Sequence, residues 1–104
     1  MPEPGVFYVL DRGYRDFGRL FRIDAARAFF VIRAKRNLSF HRVYSHTADR
    51  ATGVRCDQTI TLPNQPDAYS NQLRRIRVVV PHTRTVLTFL TNNFQLPALT
   101  IAQL

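Results

Sequence analysis

Asp11 is the residue placed best for chemistry. It directly follows Val6-Phe7-Tyr8-Val9-Leu10, an unbroken apolar run that reads as a strand buried on both faces at the centre of a sheet. In open α/β sheets ligands and catalytic groups collect at the C-terminal ends of strands. A carboxylate there can hold a hard cation such as magnesium. The same Asp-Arg-Gly is also good turn chemistry, so a plain strand-to-helix turn is the competing reading. Gly13 suits a sharp backbone turn, and Tyr14 reads as cover for the sheet.

The second chemistry is phosphate binding. Basic residues cluster at Arg33, Lys35 and Arg36, and again at Arg74, Arg75 and Arg77. Both groups could grip phosphates by charge. Phe40 and Tyr44 follow the first cluster and could stack on unpaired bases. The competing reading is a solvated edge, because charged residues also guard exposed strands. His41, His46 and His82 read as surface or loop residues, and Cys56 as a core residue. The sequence contains neither a Gly-rich phosphate loop nor a Gly-x-Ser-x-Gly elbow.

Composition agrees with a polyanionic partner. Fifteen Lys and Arg against seven Asp and Glu give a net charge of +8 across 104 residues. All the basic residues but Lys35 are arginines, whose planar fork matches phosphate in two hydrogen bonds. A hydrophobic fraction of 45% supports one folded domain. One cysteine excludes an internal disulfide and any zinc site built on cysteine pairs. No signal peptide or bilayer-length apolar run is present, so no membrane association is expected and a cytoplasmic protein is the default.

The elements that would position these residues are α+β. A helix is expected over about 16–27, with Asp16 as N-cap, Asp24 solvated and Phe17, Leu20, Phe21 and Ala25 on one stripe. A second strand over 29–34 completes strand, helix, strand, which favours two parallel neighbours. From 36 to 91 the pattern turns antiparallel. Val54, Cys56, Ile60 and Leu62 alternate with polar residues as a half-exposed strand, and 63–71 is a loop. Strands over 73–80 and 85–91 form a hairpin, with Arg75 and Arg77 on one face and Ile76 and Val78 on the other. Pro97 suits the first turn of a closing helix over 97–104, which reads as the start of a longer one.

The run Tyr8-Val9-Leu10-Asp11-Arg12-Gly13-Tyr14-Arg15-Asp16-Phe17 resembles the second-aspartate motif of bacterial insertion-sequence transposases. The type is the Asp-Asp-Glu family headed by insertion sequence four. Phe29 to Lys35, Asp49-Arg50-Ala51-Thr52-Gly53, Cys56-Asp57-Gln58-Thr59-Ile60, Leu73 to Arg77 and Phe89 to Ala98 extend the resemblance over nearly the whole chain.

The resemblance implies a partial ribonuclease-H-like fold, with a core piece over 1–35, a β-rich insertion over 36–91 and a truncated helix over 97–104. It implies that Asp11 is the second catalytic aspartate and shares magnesium with partners outside this chain. The first aspartate would lie upstream and the glutamate just past Leu104, so the chain would hold one carboxylate of three. The expectation is a fragment of a DNA transposase, inactive by itself, with DNA as partner and self-association possible. The alternative is a basic nucleic-acid-binding module without catalysis.

Overall fold

A computed structural model describes residues 3–10, 17–34, 38–62 and 72–104. The expectations placed on Asp11, Gly13, Tyr14, Asp16, Lys35, Arg36 and the 63–71 loop lie outside those residues.

The chain forms an α+β fold around one six-stranded sheet. The strands are β1 (Phe7–Leu10), β2 (Phe29–Arg33), β3 (His41–Ser45), β4 (Val54–Thr61), β5 (Leu73–Val79) and β6 (Val86–Thr91). Their spatial order is β1-β2-β6-β5-β4-β3. β1 and β2 are parallel, and every other pairing is antiparallel. The antiparallel part therefore continues the same sheet, joined to the strand-helix-strand unit where β6 pairs with β2.

Helix α1 (Phe17–Ala25) connects β1 to β2, and helix α2 (Ala98–Ala102) follows β6. Leu20 and Ile23 of α1 are buried against Phe30, Ile32, Leu73, Leu90 and Ile60 on one sheet face. Burying two such side chains contributes roughly 1.5–3 kcal/mol each. The helix ends in a Schellman motif: the Ala28 N–H donates to Ile23 O and the Arg27 N–H to Asp24 O. Arg27 takes the left-handed conformation, with φ 59°, that this ending requires. On the opposite face Ile101 of α2 packs with Val31, Val54, Ile76, Val78 and Phe89.

Two expectations are corrected, and one strand had no counterpart in the sequence reading. β1 is an edge strand of this chain, not a central one, and Val9 is 59% exposed. An apolar run reports side-chain type but carries no information about strand order. The second correction concerns β4. A bulge between Val54 and Cys56 changes the phase of the strand. Val54 then faces α2, while Cys56 and Ile60 lie on the α1 face with their partners Arg77 and Leu73. Asp57 and Thr59 are buried as a result, although simple alternation exposes them. Finally, β3 was not expected. His41-Arg42-Val43-Tyr44-Ser45 is exposed throughout, so it lacks the apolar alternation that marks a half-buried strand.

The hairpin is formed as expected. Val80 and Thr85 close it, with the Val80 N–H donating to Thr85 O and the Arg84 N–H returning to Val80 O.

Candidate nucleic-acid interface

The two faces of β5 divide its arginines. Cross-strand partners share a face in an antiparallel ladder. Arg74 pairs with Thr59 and Thr91 on the α2 side. Arg75 pairs with Gln58 and Leu90, and Arg77 with Cys56 and Thr88, on the α1 side. The sequence cluster is thus split into one internal residue and two half-buried ones on the α1 side.

Arg74 is 6% exposed. Its Nε and Nη2 donate to the two carboxylate oxygens of Asp57 at 2.8 and 2.7 Å. Its Nη1 donates to the carbonyls of Asn93 and Leu96. This corrects the expectation that Arg74 binds DNA, because its donors are turned inward and shielded. The side chain instead ties β4 to the segment leading into α2.

Arg75 and Arg77 line an open groove of about 750 Å³, together with Arg33, Thr85, Thr88 and the flanking residues Ala34, Val86 and Leu87. No described carboxylate lines it. Asp57 is held by Arg74, Asp24 accepts from Asn92 Nδ2 at 2.9 Å, and Asp49 Oδ1 accepts from the Ala51 N–H at 3.0 Å. Glu3 lies in the turn before β1. Among the described residues no carboxylate offsets the groove's positive charge, which favours a phosphate.

Arg75 is held in place before any ligand arrives. Its guanidinium stacks 4.5 Å from the centroid of the Phe40 ring. Its Nη1 donates to Gln58 Oε1 at 3.0 Å and lies 3.6 Å from Cys56 Sγ. Burial lowers the Arg75 pKa from the ordinary arginine value; Cys56 acts in the opposite direction, and Arg77 adds repulsion. An anion in the groove would offset both the lost solvation and the repulsion.

Arg33 ends β2 and is exposed; it pairs with Phe89 of the α2-side cluster, so only Arg75 and Arg77 of the groove's arginines belong to the α1 face. The C-terminal end of β1 lies in the same row as Arg75: Leu10 pairs with Ile32, Ile32 with Leu90 and Leu90 with Arg75. Three strand spacings separate the ends of that row, about 14 Å.

Among the described residues, no group of three or more His, Cys, Asp or Glu could hold a metal ion. The carboxylates of Asp24, Asp49 and Asp57 are engaged as above and do not fit a magnesium site. Asp11, the candidate ligand, lies outside the described residues. His46 Nε2 pairs with Thr59 Oγ1 at 2.8 Å, and His41 and His82 are exposed. Cys56 is half-buried beside Arg75 instead of lying within the core.

Sequence reasoning missed Phe40 and Gln58 as supports for Arg75. Alternation along β4 and β5 is the signal that could have found Gln58. Phe40 comes from a segment whose path over the sheet has no sequence signature. The Asn92-Asn93 pair was also missed as a structural joint. Asn92 Oδ1 accepts from the Phe30 N–H, and its Nδ2 donates to Ala28 O as well as Asp24. Asn93 Oδ1 accepts from the N–H groups of Gln95 and Leu96.

No described helix is long and apolar enough to cross a membrane. No protein-family model matches the chain, and no solved structure matches it significantly. The chain is 36% identical over 107 residues to a protein of Sinorhizobium fredii (strain NBRC 101917 / NGR234) named "Putative transposase y4zB". That similarity takes in 98% of this chain but spans only 30% of the other protein's length, so what it supports is a likeness to one segment of a protein so named.

Proposed function

We propose that this chain is a segment of a DNA transposase catalytic region and that it contacts DNA through the arginine groove on the α1 face of the sheet. The observation that carries the DNA contact is the groove itself: Arg75 and Arg77 line it from the α1 face, Arg33 joins them from the end of β2, and no described carboxylate lines it. The similarity to a protein named as a transposase supports the wider reading. The parent would cut and join DNA at element ends by metal-dependent phosphoryl transfer, as in the Asp-Asp-Glu family headed by insertion sequence four, on a ribonuclease-H-like core.

In that scheme Asp11 is one catalytic carboxylate and a magnesium ligand. The other two carboxylates would belong to parts of the parent outside this chain. Lys35 and Arg36 would add to the charge that holds DNA, and the parent would self-associate at paired element ends. The place of action would be the cytoplasm.

A basic binding module without catalysis is the second reading, favoured by the arginine groove and its lack of described carboxylates. Two assays separate the readings. Fluorescence anisotropy with a 30-base-pair duplex tests DNA contact, and binding that weakens steeply with salt is expected. Nicking assays with magnesium or manganese test the isolated chain for cleavage, and none is expected. Absence of DNA binding at low salt would remove the proposed contact. Cleavage abolished by Asp11→Ala would show that the chain is catalytically complete.

A further inference from the structure

We infer that the α1 face carries a defined path for one DNA strand, running diagonally across β3, β4 and β5, on which Arg42, Arg75 and Arg77 each meet a phosphate while Phe40 and Gln58 act as positioning residues for Arg75. The inference rests on the DNA-contact reading and deepens it.

The register supplies the path. Arg42 of β3 is exposed and pairs with Ile60, which belongs to the α1-side cluster. Arg42 therefore shares the face of Arg75 and Arg77. Arg75 and Arg77 stand two residues apart on one strand, about 7 Å. Arg42 lies two strands and one row away from Arg75, about 12 Å. Ser45, Gln58 and Thr88 lie in the same rows on that face and can donate to or bridge phosphate oxygens. These are backbone contacts, so the path predicts sequence-tolerant binding.

Arg75 differs from the other two arginines. Arg42 is exposed, whereas the guanidinium of Arg75 is stacked on Phe40 and hydrogen-bonded to Gln58. A fixed guanidinium loses less side-chain freedom on binding. Phe40 and Gln58 would then raise affinity without adding an ionic contact.

Salt dependence separates the two roles. Each neutralised phosphate contributes about −0.9 to the slope of log K against log salt. The three contacts of the path together contribute about −2.7 to the slope of the intact chain on duplex DNA. Arg42→Gln, Arg75→Gln and Arg77→Gln should each flatten the slope by about 1. Arg75→Gln should also weaken binding at low salt by roughly ten- to a hundredfold. Phe40→Leu and Gln58→Met should weaken binding by about two- to fivefold and leave the slope unchanged. Arg27→Gln, at the other end of β2, is the control and should change neither quantity. Urea unfolding confirms that each variant is folded, and the two positioning variants keep the test valid if one does not fold.

If the intact chain binds no DNA, the DNA-contact reading itself fails. If the chain binds but the arginine variants keep its slope, the path fails and the broader reading stands. If Phe40→Leu and Gln58→Met leave affinity unchanged, or flatten the slope as the arginine variants do, the positioning role is overturned.

Discussion

Asp57 and Arg74 meet diagonally across β4 and β5, with Asp57 in register with Ile76 and Arg74 in register with Thr59. Both side chains are buried, and the guanidinium closes a two-point contact on the carboxylate. Removing one partner leaves a buried charge unmatched, which costs about 3–5 kcal/mol. Asp57→Ala should therefore lower the unfolding free energy by that amount in urea titration. Arg74→Leu should be comparably harmful, because it also strands the Asn93 and Leu96 carbonyls.

Asn92 joins the start of β2 to the end of β6. Its side chain satisfies the N–H of buried Phe30 and the carbonyl of Ala28. Asn92→Ala should destabilise the fold by about 1–3 kcal/mol, read from thermal unfolding. The hairpin amides of 86–91 should lose less protection from hydrogen exchange than the global loss would suggest, since only one end of β6 is released.

The left-handed residues Gly53 and Arg27 should respond with opposite signs. Gly53, at φ 91°, donates its N–H to Arg50 O, and a Cβ there would lie 3.1 Å from the Val79 carbonyl oxygen. Gly53→Ala should cost about 1–2 kcal/mol. Arg27 holds φ 59° at the Schellman end of α1 with a side chain that disfavours it. Arg27→Gly should stabilise the chain by about 0.5–1 kcal/mol. Paired urea titrations of the two variants check both signs.

Much of this architecture was legible in the sequence because it rests on local patterning. The β1-α1-β2 unit, the β5–β6 hairpin and the separation of Arg75 and Arg77 from Ile76 and Val78 follow from periodicity. Strand order was not legible, so the apolar run of β1 was read as central. The bulge after Val54 was also hidden, since one inserted residue reverses phase without a composition signal. The arginine cluster at 74–77 showed where positive charge concentrates. Only the partner across the strand decides which member faces inward, and Asp57 claims Arg74. Several segments of the family resemblance fall on joints of the fold. Asp57 meets Arg74, Asp49 caps the 3-10 turn at Arg50–Thr52, and Asn92 and Asn93 fasten the exit of β6.

DNA titration of the intact chain beside an Arg75→Gln/Arg77→Gln double variant, across a series of salt concentrations, reads the central claim most directly. The account predicts sequence-tolerant binding by the intact chain and a slope flatter by about 2 in the double variant. Equal affinity and equal slope for the two proteins would contradict it.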